Sequence, residues 1–387
     1  MSDEGYQNRI LPHVSRTFAL TIPELPADLR TAVTCAYLLC RIADTIEDEP
    51  EIGADDGLIF LERFTAVVAG TEAPAPLAAD LGPRLSRWTL PAERELVANM
   101  ERVIRVAAGL DMRSRAAIQR CVALMCHGMH HFQRTASLAG LPALADLDGY
   151  CYYVAGVVGE MLTELFCGHS PDIECHQARL AVLAPSFAQG LQMTNILKDV
   201  WEDRSRGACW LPQSVFARHG VDLAGLGAGE LPAGFAAGMQ ELVGVAHAHL
   251  RNALEFTLLL PRAETGIRRF CLWAIGLAVL TLRRVHANPR FTAGSEVKVP
   301  RSQVRLTLAA CNLAVRSNGA LQFLFDRAAR GLPLAVLPPG WAPKRLPTQP
   351  AAAGQPLPLR RRAAGAGAGA EAAEDWRRRP ADRSSAP

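Results

Sequence analysis

Residues 28–48 read DLRTAVTCAYLLCRIADTIED, and this stretch decides the fold. Leu29, Ala32, Val33, Ala36, Leu39, Cys40 and Ala43 recur at three- and four-residue steps, the spacing of one helix face, with no strict alternation. The run closes on Asp44-Thr45-Ile46-Glu47-Asp48, two aspartates at i and i+4. On a helix such a pair projects from one side, with Cβ atoms roughly 5–6 Å apart.

The same helical period returns over residues 93–108, 113–138, 148–168, 177–203, 234–260, 265–287 and 302–330. Pro and Gly fall between these segments, at Pro23, Pro26, Pro142, Pro171, Pro232, Pro261 and Pro300 among others. The fold class expected is all-α, a single helical domain over residues 1–335 with no composition break inside it. From residue 343 to 387 the chain turns to Pro, Ala, Gly and Arg, which cannot bury enough apolar surface to offset the entropy of ordering it, so a disordered tail is expected. Its Arg360–Arg362 and Arg377–Arg379 runs read as a solvated tail, with contact to anionic lipid as the alternative.

The whole chain carries a net charge of only +3, which gives no argument for nucleic acid as a partner. Its ten cysteines lie mostly in apolar runs without CxxC pairs, as small core residues of a reducing compartment do. The N-terminus lacks the basic start, apolar core and cleavage site of an export signal. The longest uncharged apolar run, residues 270–282, is shorter than the roughly 20 residues needed to span a bilayer. A cytoplasmic protein is expected, free or peripheral at the inner membrane surface, without a transmembrane helix.

A second acidic pair, Asp199-Val200-Trp201-Glu202-Asp203, repeats the D-x-x-E-D form of the first. One copy alone reads as a solvated helix face. Two copies, each after a hydrophobic segment, repel their own charges unless a cation sits between them, and hard divalent ions of the Mg²⁺ type prefer such oxygens. Asp44, Asp48, Asp199 and Asp203 are therefore the candidate metal ligands, with Gln192 and Asn195 two turns and one turn before Asp199 on the same side. Arg16, Arg41, Lys198 and Arg206 accompany the two clusters. An ion-pair network alone would account for them, yet metal with guanidinium is also how a diphosphate is gripped as a leaving group.

SRTFALTIPELP at 15–26, YLLCRIADTIEDEP at 37–50, YCYYVAGVVGEMLTELF at 150–166 and LQMTNILKDVWEDRSRGACWLP at 191–212 together resemble the squalene and phytoene synthases. The resemblance implies an isoprenoid-synthase helical bundle with a central cavity, Mg²⁺-bound diphosphates between facing acidic helices, and head-to-head coupling of two farnesyl diphosphates in sterol or hopanoid synthesis. It implies that Tyr150 takes part in proton removal after the first coupling. The block RRFCLWAIGLAVLTLRRVHANPRFTAGSEVKVPRSQ at 268–303 resembles the squalene branch, which implies reduction by NADPH, Phe270 near the second cation, and Lys298 and Arg301 at the NADPH phosphate. No Gly-rich strand-turn-helix fingerprint is present, so NADPH would need a surface of the family's own. Sibling outcomes are presqualene diphosphate, dehydrosqualene, hydroxysqualene or phytoene. A non-catalytic lipid-binding or assembly protein of the same fold is the alternative from another class.

Overall fold

In the computed structural model the described residues are 1–346, apart from 16, 228, 230, 339 and 340, and they form one unit. Among them there are helices and turns but no strand, only an isolated bridge between Leu141 and Pro212. The helices that place the site are α1 (Ala27–Glu47), α2 (Pro91–Ala98), α3 (Met112–Thr135), α4 (Leu144–Cys151), α5 (Val157–His169), α6 (Gln177–Lys198), α7 (Val200–Ser205), α8 (Phe235–Leu259), α9 (Thr265–Ala287), α10 (Arg301–Ala314) and α11 (Asn318–Ala329).

The core is built around α6 and α8, which pack along most of their length. α6 is apolar around much of its circumference, as expected of a helix with neighbours on all sides. Its close approaches depend on missing side chains. A Cβ on Gly159 of α5 would lie 2.4 Å from the Ala184 carbonyl oxygen of α6, so only glycine admits this helix pair at its present distance. Three polar side chains between the helices are joined: Asn252 donates to Ser186 Oγ at 2.9 Å, and Ser186 Oγ lies 2.8 Å from His249 Nδ1.

Arg268 of α9 is fully buried without a carboxylate partner. It donates to the carbonyls of Thr257 and Leu260 at the end of α8, to Val315 O and to Asn318 Oδ1. One guanidinium thus satisfies the orphan carbonyls of a helix end and fixes the corner between α10 and α11.

Several boundaries differ from the periodic segments of the sequence, each for a local reason. Asn99 interrupts residues 93–108, Asp199 interrupts 177–203, and the turn at 315–317 divides 302–330. Asn99 Nδ2 donates to Glu95 O at 2.9 Å and Ser317 Oγ accepts the Ala320 N–H at 3.3 Å, local bonds that compete with the helical ladder, and the periodic apolar pattern passes across all three breaks unchanged. Nine of the ten cysteines are buried and all are free thiols, while Cys175 is exposed. α9 is long and apolar enough by length and composition to cross a membrane, but 56% of its most apolar window is buried inside the protein.

Candidate active site

The first acidic cluster sits where a helix least favours it. Asp44 and Glu47 occupy the last turn of α1 and Asp48 caps it, with no basic residue in that turn, so three carboxyls face the negative end of the helix dipole. Arg41, one turn earlier, holds Asp44 at 3.5 Å and Glu93 of α2 at 2.5 Å. The single guanidinium is shared and does not balance the cluster. Burial pushes Asp44 up to about 7, with Asp48 and Glu93 adding to the rise and Arg41 opposing it. Glu47 is driven well above the carboxylate range by burial and by Asp48 and Asp44. Asp48 is exposed by its own surface yet raised chiefly by desolvation, the combination expected of a group on a concave wall.

The second cluster lies at a break between helices. α6 ends at Lys198, Asp199 is the junction, and α7 starts at Val200, while the Asp203 N–H still donates to Asp199 O at 2.9 Å. Lys198 Nζ pairs with both carboxylate oxygens of Asp199. Asp203 is pushed up to about 7, first by burial and then by Asp199, with Asp48 and Glu202 adding and Arg206 opposing. Gln192 is half-buried and Asn195 exposed on the last two turns of α6.

Asp48 raises Asp203, and Arg206 lowers both, so the fold brings the two acidic stretches to one mouth. Among the described residues no three carboxylate, imidazole or thiolate side chains converge into a ready cation cage. That suits an ion of the Mg²⁺ kind, which keeps waters and is commonly completed by phosphate oxygens rather than by an all-protein shell.

Tyr150 borders this mouth. Its ring is buried, stacked on Trp210 with centroids 4.0 Å apart at 9°, and meets Phe132 edge-on at 5.3 Å. Its phenol is held well above the usual range by burial, followed by the charges of Glu47, Asp203, Cys151 and Asp48. At neutral pH the group is a protonated donor. The chain after α4 passes through one π-helical turn, Tyr152–Gly156, before α5 resumes. Such wide turns re-aim side chains and are frequent at functional sites. Tyr152 and Tyr153 point elsewhere: Tyr152 Oη donates to Glu160, and Tyr153 Oη accepts the Leu346 N–H at 2.8 Å. Trp341, Lys344 and Arg345 lie over the same segment, bonded to Asp148, Asp146 and Glu160.

Phe270 of α9 is buried in an aromatic group, 6.2 Å from Phe166 and 6.4 Å from Phe18 by centroids, and Phe18 lies 5.2 Å from Tyr37. Tyr37 feels both Arg41 and Asp44, which places this apolar wall against the first acidic cluster. Lys298 and Arg301 are exposed, and among the described residues neither pairs with an acid. They follow the turn Gly294–Val297, which packs on α7: Trp201 Nε1 donates to Phe291 O at 2.7 Å, and a Cβ on Gly294 would lie 2.7 Å from Glu202. Arg16 lies outside the described residues.

Glu47, Glu93 and Trp210 belong to this arrangement and were not singled out by sequence reasoning. Glu47 carried a signal, as the third acid of the first motif. Glu93 and Trp210 carried none, because they reach the site from other elements.

Known proteins resemble this chain over most of its length. The family model described as "Squalene/phytoene synthase" matches residues 11–303. A squalene synthase of Candida albicans is 28% identical over 300 residues, which cover 74% of this chain and 62% of that protein. A squalene synthase of Rattus norvegicus is 28% identical over 314 residues, covering 79% of this chain and 69% of that one. The chain thus spans less than two thirds of the yeast protein's length. Among solved structures, TcSQS with a bound ligand superposes with a TM-score of 0.64 at 25% identity, covering 85% of this chain and 98% of the other. A dehydrosqualene synthase in complex with a ligand shares the fold, with a TM-score of 0.57 at 21% identity over 83% of this chain and 96% of its own.

Proposed function

Because the chain belongs to the squalene/phytoene synthase family, we propose that it is a prenyltransferase which joins two farnesyl diphosphates head to head into presqualene diphosphate and reduces that product to squalene with NADPH. The observation that carries this reading is the shared mouth: Asp48 acts on Asp203, and both act on Tyr150. The relatives named squalene synthases favour that branch.

Four roles follow. Asp44, Asp48, Asp199 and Asp203 would hold Mg²⁺, whose chemistry is neutralisation of the departing diphosphate, and Gln192 and Asn195 beside them would bind that diphosphate. The fit rests on charge, since carboxyls raised by burial and by neighbouring acids lack enough cationic partners of their own. Arg41 and Arg206, together with Arg16, offer forked donors to phosphate oxygens, and Lys198 reaches them by leaving Asp199.

Tyr150 works as a relay: its oxygen takes the proton lost from carbon as its own proton passes to the released diphosphate, so the phenol stays neutral. The ring group of Phe18, Tyr37, Phe166 and Phe270 excludes water and presents aromatic faces to the allylic cation. Lys298 and Arg301 would hold the phosphate of NADPH, which supplies hydride.

Purified protein given farnesyl diphosphate and Mg²⁺, with and without NADPH, tests this by extraction of the apolar products. Squalene formed only with NADPH is the expected result. Dehydrosqualene, hydroxysqualene or phytoene from the matching diphosphate would move the chain to a sibling branch with the same coupling step. No condensation product in either arm would favour a non-catalytic lipid-binding or assembly role.

A further inference from the structure

Away from the acidic mouth, α10 and α11 form a surface that the proposed chemistry does not use. Leu306 and Leu313, seven residues apart on one face of α10, are 72% and 91% exposed, and Phe323 of α11 is 67% exposed. Between the helices runs an open groove of about 310 Å³ lined by Ala310, Leu313, Ala314, Ala320, Phe323 and Leu324. Single exposed apolar residues are ordinary, but a groove flanked by three protruding ones is a patch.

The charge around it is one-sided. From Val297 to Phe325 the sequence holds Lys298, Arg301, Arg305 and Arg316 and no aspartate or glutamate. Arg305 lies beside Leu306 on α10, Arg316 follows Leu313 in the turn that ends this helix, Arg327 follows Phe323 by one turn of α11, and Arg330 caps that helix. All four arginines are exposed, and among the described residues none is in an ion pair. Elsewhere Arg41, Arg63, Arg84, Arg102, Arg105 and Arg113 are all bonded to acids. The one acid on this part of α11, Asp326, is occupied by Gln322 of the same helix.

We infer that this face docks on a bilayer carrying anionic headgroups, with Leu306, Leu313 and Phe323 entering the acyl boundary and Arg305, Arg316, Arg327 and Arg330 meeting the lipid phosphates. The charge complementarity selects this occupant: apolar knobs rimmed by unpaired guanidinium groups suit a fluid, negatively charged surface. Arg268, which ties α10 and α11 to the end of α8, makes the face a rigid platform rather than a loose arm. The inference stands without the proposed reaction, because none of the seven residues assigned to the bilayer belongs to the site.

The test is flotation of the full-length chain with vesicles of phosphatidylcholine alone and of phosphatidylcholine with about one third phosphatidylglycerol, at low and high salt. The chain is expected to float with the anionic vesicles only, and at least tenfold less in high salt. Two variants, Arg305→Glu with Arg316→Glu, and Leu313→Ser with Phe323→Ser, should each reduce flotation about tenfold while leaving the far-ultraviolet spectrum and thermal midpoint unchanged. Because all four positions are exposed, the folded state serves as its own control in both. Failure of the chain to float, equal flotation with neutral vesicles, or undiminished flotation of both variants would overturn the assignment. So would a dimer in size-exclusion chromatography that the same substitutions dissolve without any vesicle binding.

Discussion

The two acidic stretches share one pattern, D-x-x-E-D, and are built differently. Asp44 and Asp48 close a long helix whose dipole opposes them, and the guanidinium paired with Asp44, that of Arg41, is divided with Glu93. Asp199 and Asp203 straddle a helix break, with Lys198 spent on Asp199 and Arg206 near Asp203. The first site holds excess negative charge against local helix preference, and the second neutralises part of its own. A pattern in sequence therefore specifies which groups are offered, while the neighbours decide how much charge each offers.

The largest expected effect comes from removing one acid from either side. Asp48→Asn and Asp203→Asn should each lower turnover by at least about 100-fold, the scale of losing a main electrostatic contact in a transition state. Folding should not suffer. A carboxyl whose pKa is raised by the fold binds its proton more tightly in the native chain than in the unfolded one, so its charged form opposes folding above that raised value. Thermal unfolding at pH 8 without divalent ions should show midpoints equal to or above the parent's. Normal turnover by either variant would remove the acidic clusters from the reaction.

Next in size is Arg41→Ala, which deprives the first cluster of its shared cation. Loss of a charged hydrogen bond of roughly 1.5–3 kcal/mol corresponds to about a 10- to 100-fold fall in kcat/KM. Steady-state kinetics with farnesyl diphosphate measure it. Lys198→Ala should cost less, about threefold to tenfold, because that ammonium already serves Asp199. If Lys198→Ala proved the more damaging of the two, the contrast between a starved and a self-balanced cluster would be wrong.

The smallest effect should come from Trp210→Phe. A smaller ring keeps an aromatic face against Tyr150 but loses part of the 4.0 Å stack, a change of about 0.5–1.5 kcal/mol. A fall of about tenfold or less in the rate of coupling is expected, with substrate binding unchanged. A change confined to KM would place Trp210 on the substrate and not on the tyrosine.

Much of the fold was legible because helices announce themselves by period. The segment 265–287 was read to its ends, and 28–48 within a residue at each end. The breaks at Asn99 and Asp199 were not, since the apolar period runs across them intact. The acidic pairs stood out through repetition. Glu93 did not, for an isolated acid on an amphipathic helix looks like any solvated residue until Arg41 is found beside it. Trp210 was hidden in the same way, its partner lying on α4.

By itself the sequence determined the helical class, the two carboxylate pairs and the Tyr150–Gly159 block, because these are set by spacing along one chain. Only the tertiary structure decided that Asp48, Asp203 and Tyr150 share one mouth, that Tyr37 joins the aromatic wall to the acids, and that one cation serves two carboxylates. Electrostatic energy depends on distance through space and on exclusion of water, and neither is written in the order of residues until the helices pack.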